Sequence, residues 1–545
     1  MSLTFWAVVG LLRLMEEHSS RSRPLSISFQ QPSASGIAGE WPALLAGLLV
    51  LAAAVPAVEL GAAIAIWVRL VGGGQLAMLV GALVSGLVCW ALVSLRAAEA
   101  KANSRRDRWL SVVEAALWTV LFLAIAAIYL TVENRIGSIG RSGIGLVAPF
   151  LAVLGLASIW LGLRSSRAAR AGLGPKTRIG TDEVAVLIPA HNEEATLAAC
   201  IDAVSKIVRP CNIFVGSDAS TDRTVEIARS RGCQVADIRP SRGKARVLKY
   251  LIDKFEICRR YKAVMLLDAD SEPDPSYLAR ALPLFDDGSV VAIAGHVLTR
   301  WETHAVPRWS MFFVAYRVRL YRLLQALTRY GQTWKRTNVA YIVPGFASMY
   351  RTSVLPKIDI AAPGLIIEDF NMTFELHRLQ LGRIAYHPDI RCVSRDPLSL
   401  RDYVKQVKRW NLGFWQTVRR NGIWLSAFWL SLAIFLVELL LVSLFFVLLP
   451  IQIGLGLIFG QPMWSISIID PSLSEISSLD LLIGILAVDY AITVVVAWLE
   501  RKPILLVYGL GFPILRGIDA ALLLYGFVAS WFVHSDGRWV SPARV

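Results

Sequence analysis

Residues 263–270 read Ala-Val-Met-Leu-Leu-Asp-Ala-Asp, a short apolar strand pattern that ends in two carboxylates. Three other β-rich runs precede it, separated by helical patterns, and they lie at 184–189, 213–216 and 235–238. Alternation of strands and helices at this spacing predicts a mostly parallel, doubly wound α/β sheet. Ligands of such sheets bind at the carboxyl ends of the strands. Asp268 and Asp270 stand at one such end.

The sequence on both sides of this block is apolar. Of the 545 residues, 55% are hydrophobic and 18% are charged, and the mean hydropathy is +0.53. Because soluble domains carry about 25% charged residues, this composition excludes a disordered chain and disfavours an ordinary soluble enzyme. Six separated cysteines without a Cys-x-x-Cys pair exclude a small disulfide-stapled secreted protein and indicate a reducing compartment.

Several apolar runs are long enough to cross a hydrocarbon core, which takes about 20 helical residues. Four precede the α/β block and three follow it, and they are 42–68, 75–95, 110–131, 146–163, 423–456, 481–499 and 503–533. The loop at 96–109 and the stretch after residue 163 are rich in Lys and Arg, whereas the 70–74 and 457–480 loops contain neither. The positive-inside rule therefore predicts that the N-terminus and the α/β block are cytoplasmic.

The positive charge is concentrated in the α/β block. The segment 164–420 holds 40 Lys and Arg and 25 Asp and Glu, which accounts for the whole formal net charge of +15. Such a charge suits the anionic face of a lipid bilayer or a negatively charged substrate such as a nucleotide. No nucleic acid is expected as a partner, because no nucleic-acid-binding motif accompanies the charge.

These observations predict a multi-span α-helical membrane protein with an inserted cytoplasmic α/β domain and amphipathic interface helices. The predicted division of the chain is a cytoplasmic N-terminal segment (1–40), four transmembrane helices (41–164), the α/β domain (165–425) with interface helices near 305–330 and 398–420, two or three C-terminal transmembrane helices (426–533) and a tail (534–545). The stretch 503–533 is interrupted by prolines, so it is either one broken span or a re-entrant pair.

Two motifs in the block are suited to binding a nucleoside diphosphate. Asp268 and Asp270 alternate along the chain, so both carboxylates can face one site and ligate Mg²⁺ or Mn²⁺. Gly243-Lys244-Ala245 opens a helix pattern, where backbone N–H groups and a cation can hold phosphate oxygens. The alternative for the second motif is a solvated basic helix face.

Two further motifs are suited to the reaction and to the acceptor. Glu368-Asp369 precedes a helical pattern; it either complements the helix dipole or contains a general base. Gln406, Arg409 and Trp410 lie on one helix face, and an amide, a guanidinium and an indole together can hold a sugar next to a phosphate. The alternative is an interfacial amphipathic helix with a Trp anchor.

In this order and spacing the motifs resemble the processive family 2 glycosyltransferases, the membrane synthases of cellulose, chitin, hyaluronan and poly-N-acetylglucosamine. The set comprises Pro189-Ala-His191-Asn192-Glu193, Asp218, Gly243-Lys244-Ala245, Asp268-x-Asp270, Glu368-Asp369 and Gln406-x-x-Arg409-Trp410. The resemblance covers about residues 180–425 and implies a GT-A fold for the α/β domain. It also implies a multi-pass protein of the plasma (inner) membrane whose catalytic domain is cytoplasmic.

The resemblance implies roles for individual residues in binding a UDP-sugar. Asp218 would accept a hydrogen bond from the uracil ring, and Lys244 would lie near the nucleotide. Asp268 would contact the nucleotide, and Asp270 would ligate the divalent metal, Mg²⁺ or Mn²⁺, that bridges the diphosphate.

For the reaction itself, the resemblance implies that Asp369, next to Glu368, is the general base. Gln406, Arg409 and Trp410 would hold the diphosphate and the end of the growing glycan. By position, Pro344-Gly345-Phe346 matches the loop under the acceptor sugar.

Some features depart from the family pattern or leave the function open. Ile367 replaces a frequent Thr, Lys249 replaces a frequent Asn, and more spans precede the catalytic block than in the bacterial relatives. UDP-N-acetylglucosamine is the favoured donor because residues 538–544 resemble the tail of poly-β-1,6-N-acetylglucosamine synthases, with UDP-glucose next. The alternatives are a non-processive transferase that glycosylates a lipid carrier and an inactive transporter or scaffold. Oligomerisation and export partner proteins stay open.

Overall fold

The computed structural model describes Trp6, Val9 and Arg13 and the residues 177–301, 309–335, 337–459 and 478–533. The four apolar runs predicted between 42 and 163 and the tail at 534–545 lie outside the described residues. The chain divides into two compact units. The first comprises 1–21, 157–450 and 493–545 and contains the sheet; the second comprises 22–156 and 451–492, and its described residues are helical.

An eight-stranded sheet forms the centre of the first unit, with the strand order β3-β2-β1-β4-β7-β6-β8-β5. The strands are β1 Val184–Ala190, β2 Ile213–Asp218, β3 Gln234–Ile238, β4 Ala263–Leu267, β5 Glu272–Pro273, β6 Val290–Thr299, β7 Ala347–Arg351 and β8 Arg383–Ser394. All four strands expected from the sequence are present, so the predicted α/β domain is confirmed.

The sheet is parallel in one half and mixed in the other. Strands β3, β2, β1 and β4 pair in parallel, as expected for β1, β2 and β4, whose residues are buried on both faces; β3, at the edge, is partly exposed. Beyond β4, strand β7 is antiparallel to both β4 and β6, while β8 is parallel to β6 and antiparallel to β5. Six of the eight strands therefore run in the same direction, and β7 and β5 run against them, so the sheet is mostly parallel, as predicted.

Alternate side chains of the strands fill two hydrophobic layers, one on each side of the sheet. On β1, Val186 and Ile188 belong to the layer that includes Leu197 of the first helix. Leu187, between them, belongs to the other layer together with Leu251. This division follows from the two-residue period of a strand, and it leaves the strand ends for the polar residues of the site.

Thirteen α-helices are formed by the described residues. They are α1 Leu197–Val204, α2 Thr224–Ser230, α3 Lys244–Lys254, α4 Ile257–Arg260, α5 Tyr277–Ala281, α6 Met311–Leu323, α7 Tyr330–Gln332, α8 Glu368–Arg378, α9 Leu400–Asn421, α10 Ala427–Phe459, α11 Ser478–Glu500, α12 Ile504–Gly509 and α13 Phe512–Ala529. The predicted interface helix near 305–330 appears as α6, a π-helical segment at Leu324–Arg329 and α7.

The second predicted interface helix, near 398–420, is α9. It begins after Ser399, whose side chain accepts a hydrogen bond from the Asp402 N–H, as expected of an N-cap serine. It ends at Gly422, where φ is +67°, a conformation that glycine adopts at low cost. Local sequence signals therefore set both ends of the helix that carries Gln406, Arg409 and Trp410.

Among the described residues, two helices are long and apolar enough to cross a membrane, α10 and α13. This finding rests on length and composition alone, and the multi-span arrangement stays a prediction. The stretch 503–533 is broken into α12 and α13, separated at Leu510 and Gly511, as its prolines suggested.

The helices next to the sheet are attached to the C-terminal helices by buried polar contacts. The hydroxyls of Tyr316 on α6 and Tyr403 on α9 donate to the two oxygens of Asp519 on α13, over 2.8 and 2.5 Å. Arg319 of α6 donates to the Thr493 hydroxyl at 2.7 Å. One carboxylate on α13 therefore fixes both predicted interface helices.

Candidate active site

Asp218 organises the loop that leads into α3. It is the last residue of β2 and is fully buried. Its carboxylate accepts hydrogen bonds from the Ser241 hydroxyl at 2.9 Å and from the N–H groups of Arg242 and Gly243 at 2.6 and 2.8 Å. Gly243 has φ +84°, which lets the chain turn directly into the helix. The structure thus joins Asp218 to the Gly-Lys-Ala motif.

Lys244, the first residue of α3, links two motifs that are 100 positions apart in the sequence. Its Nζ lies 2.9 Å from Asp268 Oδ1 and 2.8 Å from Glu368 Oε1. Burial alone would lower the pKa of Lys244, but the charges of Asp268, Glu368 and Asp369 raise it above its ordinary value. The ammonium is therefore a fixed positive charge between the end of β4 and the start of α8.

Asp369 is held at the N-terminus of α8 by backbone donors. Its Oδ2 accepts from the Gly345 N–H at 3.1 Å, and its Oδ1 accepts from the Phe370 N–H at 2.7 Å. Burial raises the pKa of Asp369 to about 6, and the neighbouring Glu368 charge adds to the rise, while Lys244 and the two N–H groups oppose it. A carboxylate with such a pKa can accept a proton near neutral pH.

The loop at Gly345 packs closely against these carboxylates. A Cβ atom at this glycine would lie 3.2 Å from Glu368 Oε1 and 3.3 Å from both Asp369 Cβ and Lys244 Nζ. The segment that by its resemblance to the family matches the loop under the acceptor sugar therefore contacts the predicted base, and any larger side chain at Gly345 would intrude on that contact.

The residues at the end of β4 have the chemistry that a divalent cation needs. Asp268 and Asp270 offer hard carboxylate oxygens, and the turn after the strand is closed by Ser271, whose N–H donates to the Asp268 carbonyl at 3.0 Å and whose hydroxyl donates to Asp270 Oδ1 at 3.3 Å. Within the described residues, no group of three or more His, Cys, Asp or Glu is arranged to hold a metal. A cation here would therefore complete its shell with water and phosphate oxygens, as Mg²⁺ commonly does.

Helix α9 passes the start of α8 at close range. A Cβ atom at Gly413 would lie 2.8 Å from Ile367, the residue before Glu368. Arg409 stands one turn earlier, about 6 Å along the helix axis, and is half-buried. The close approach at Gly413 therefore places helix α9, which carries the Gln-x-x-Arg-Trp segment, against the residue that precedes the acidic pair.

Gln406 and Trp410 share a partner that sequence reasoning did not select. Arg317 of α6 donates from Nη2 to Gln406 Oε1 at 2.7 Å, and its guanidinium carbon lies 4.4 Å from the Trp410 ring centroid. Arg317 lies within the interface helix that the sequence predicts near 305–330. Apart from Arg319 and Arg322, the other residues of this helix are apolar or aromatic, and that composition was the local signal that Arg317 is buried.

Asp396 was also missed, and it lies on the other side of Arg317. Burial raises the pKa of Asp396 to about 6; Arg317 and a hydrogen bond from the Tyr321 hydroxyl oppose the rise, and the charge of Asp270 adds to it. The Arg317 side chain therefore connects the Gln-x-x-Arg-Trp helix to a carboxylate that interacts electrostatically with the predicted metal ligand.

The structure thus joins Lys244 directly to Asp268 and Glu368, with Asp369 next to Glu368 at the start of α8. It places Asp218 next to Lys244 through the Gly243 N–H, and it joins Gln406 to Trp410 through Arg317. The binding and catalytic roles expected of all the predicted residues stay predictions, because no ligand contact tests them.

Comparison with known proteins matches the part of the chain that contains all of these site residues. Residues 181–413 match the family model described as "Glycosyltransferase like family 2". The chain is 25% identical over 257 residues to hyaluronan synthase of Streptococcus pyogenes, covering 43% of this chain and 57% of that protein. It is 26% identical over 243 residues to glucomannan 4-beta-mannosyltransferase 7 of Arabidopsis thaliana, covering 42% of each. The chain thus spans about half the length of these curated relatives.

Solved structures with similarity to this chain include mannosyltransferase PcManGT of Pyrobaculum calidifontis in complex with GDP-Man and Mn²⁺. It shares 16% identity, with a TM-score of 0.38 and coverage of 71% of this chain and 98% of that one. Glucosyl-3-phosphoglycerate synthase of Mycobacterium tuberculosis, in complex with Mn²⁺, UDP and phosphoglyceric acid, shares 20% identity, with a TM-score of 0.30 and coverage of 46% and 86%. On the family match and the sequence relatives, residues 181–413 are a glycosyltransferase domain of family 2, with a sequence that resembles hyaluronan synthase.

Proposed function

We propose that this protein is an inverting glycosyltransferase that polymerises a β-linked polysaccharide from a UDP-sugar. The observation that carries the proposal is the position of Asp369. It is a half-buried carboxylate with a pKa of about 6, and its neighbours are a fixed ammonium, that of Lys244, and the Gly345 loop. A proton acceptor next to a cation that suits a diphosphate is the pairing that glycosyl transfer requires.

The donor would bind between β2, α3 and the end of β4. When the donor binds, the Lys244 ammonium would contact the diphosphate and weaken its ion pair with Asp268, because the diphosphate carries a larger negative charge than one carboxylate. Asp218 is fully buried and already accepts three hydrogen bonds, so the uracil ring would reach it only if the loop at Arg242 and Gly243 shifts and exposes its remaining lone pair. A carboxylate has about four lone-pair sites, which leaves room for one more donor.

The reaction would be a single displacement at the anomeric carbon of the donor sugar. An acceptor hydroxyl attacks opposite UDP, its proton passes to Asp369, and the bond between the anomeric carbon and the UDP oxygen breaks with inversion. A divalent cation held by Asp270 and Asp268 would neutralise charge on the diphosphate. Arg409, one turn from the contact of α9 with Ile367, would add positive charge on the same side.

Polymer formation is the finer part of the proposal. It is supported by the sequence similarity to hyaluronan synthase, by the Gln-x-x-Arg-Trp helix next to the acidic pair, and by two described helices long and apolar enough to cross a membrane. We infer a multi-pass protein of the plasma (inner) membrane with a cytoplasmic catalytic domain, whose product leaves through the transmembrane region. UDP-N-acetylglucosamine is the favoured donor, followed by UDP-glucose.

The test is UDP release from a panel of UDP-sugars, with the purified full-length chain in detergent or vesicles and with Mg²⁺ or Mn²⁺. We expect UDP release with one donor and a product that migrates as a polymer on a gel. A single sugar on an extractable lipid would favour transfer to a lipid carrier instead. Absence of UDP release with every donor, from a folded protein that binds UDP, would overturn the proposal in favour of a transporter or scaffold.

A further inference from the structure

Arg317 is a buried cation that contacts two members of the Gln-x-x-Arg-Trp motif from another helix. It is 1% exposed, it donates to Gln406 Oε1 at 2.7 Å, and it lies 4.4 Å from the Trp410 ring centroid. A buried guanidinium is costly unless it is paired. Since 89 residues separate Arg317 from Gln406, the contact is a product of the fold and not of a local pattern.

This contact determines which end of the Gln406 amide faces a ligand. A guanidinium only donates hydrogen bonds, so the atom next to Arg317 must be the amide oxygen. The NH₂ group is then the end of Gln406 that can donate to a ligand. The same guanidinium covers one face of Trp410, so a sugar ring can stack only on the opposite face.

Arg317 is itself fixed by further contacts. Its Nε lies 3.9 Å from Asp396 Oδ1, and Asp396 is 2% exposed and accepts from the Tyr321 hydroxyl at 3.2 Å. The guanidinium carbon also lies 4.7 Å from the Tyr403 ring centroid. The planar guanidinium of Arg317 is contacted on several sides and therefore keeps one orientation. A lysine ammonium in its place would not reproduce that orientation.

We propose that Arg317 is a positioning residue that presents the NH₂ group of Gln406 and one face of Trp410 to the substrate. The inference rests on the proposed function and identifies the ligand group that Gln406 recognises, an oxygen that accepts hydrogen bonds. That oxygen belongs either to the diphosphate of the donor or to a sugar of the acceptor glycan.

The experiment compares Arg317→Lys with wild type in the full-length protein, using UDP binding, kcat and the KM for an acceptor oligosaccharide. Loss of a charge-assisted hydrogen bond corresponds to about tenfold or more in affinity. If the oxygen is a phosphate oxygen, we expect the UDP affinity of Arg317→Lys to fall by about that factor. If it is a glycan oxygen, we expect the acceptor KM of Arg317→Lys to rise by about that factor while its UDP affinity is unchanged.

Arg319→Lys is the matched control, because Arg319 lies on the same helix and is 3% exposed. Its guanidinium donates to Thr493 and lies 5.0 Å from the Phe512 ring centroid. We expect its UDP affinity and acceptor KM to match wild type once the folded fraction is taken into account. Equal behaviour of the two variants would overturn the inference, whereas a wild-type protein that releases no UDP would overturn only the proposed function.

Gln406→Glu tests the same orientation without disturbing a buried residue. Glutamate keeps an oxygen for Arg317 but has no NH₂ group, so it should lose the same donor or acceptor affinity as Arg317→Lys. The two changes should also be less than additive in the double variant, because they disrupt one contact. Wild-type kinetics in Gln406→Glu would show that the NH₂ group is not used, even if Arg317→Lys did not fold.

Discussion

The pH dependence of catalysis follows from the environment of Asp369. Its pKa is raised to about 6 by burial and by Glu368. A general base must be deprotonated, so the rate should fall as the pH falls through about 6. For one such group, about ten in eleven molecules carry the active form at pH 7 and about one in eleven at pH 5, so kcat should drop about tenfold between these values.

Two substitutions test this explanation. Asp369→Asn removes the proton acceptor and should lower kcat by about 10²- to 10⁴-fold while UDP still binds. Its NH₂ group would also face a backbone N–H, either that of Gly345 or that of Phe370, which costs about 1–3 kcal/mol of unfolding free energy. Lys244→Met removes the positive charge that lowers the pKa of Asp369, so the midpoint of the remaining activity should move to higher pH.

The measurement is UDP release at saturating donor, in steps between about pH 4.5 and 8.5, with thermal unfolding recorded at each pH to exclude loss of the fold. UDP binding to Asp369→Asn serves as the control for donor binding. The explanation is wrong if the profile is flat between pH 5 and 7, if Asp369→Asn polymerises normally, or if Lys244→Met moves the midpoint to lower pH.

Three other substitutions have defined outcomes. Asp270→Ala should abolish metal-dependent activity, and an unchanged Mn²⁺ dependence in a titration of UDP release would contradict the metal assignment. Gly345→Ala places a Cβ 3.2–3.3 Å from Glu368, Asp369 and Lys244 and should misplace the base slightly. We therefore expect kcat, measured by UDP release, to fall about tenfold. A wild-type kcat would refute the close contact. Gly413→Ala places a Cβ 2.8 Å from Ile367 and should lower the unfolding free energy by about 1–3 kcal/mol in denaturant titrations, whereas unchanged stability would mean that the two helices separate freely.

The features that the sequence predicted well depend on local patterns. Strands β1 and β4 follow from continuous apolar runs that are buried on both faces, and helix α9 follows from the helical pattern near 398–420. That the two carboxylates after β4 serve one site stays a prediction, because they lie in the turn beyond the end of the strand and not on the strand itself. Each of these inferences uses neighbours within a few positions.

The second half of the sheet was less accessible to sequence reasoning. Strands β6, β7 and β8 were not predicted, and the direction of β7 reverses the parallel order of the first four strands. A strand's direction depends on where the intervening chain places it, and an apolar run is the same in either direction. The mixed half of the sheet was therefore decided by packing.

The sequence by itself determined that an α/β domain with acidic strand ends lies between apolar segments, because strand and helix periodicity and charge are properties of adjacent residues. Only the tertiary structure decided that Lys244 pairs with Glu368, that Asp218 holds the loop before α3, and that Arg317 orients Gln406. These contacts join residues that are 25 to 124 positions apart, as in Gly243 with Asp218 and Lys244 with Glu368. Such pairs become neighbours only when the buried layers on both sides of the sheet bring the strand ends and helix starts together.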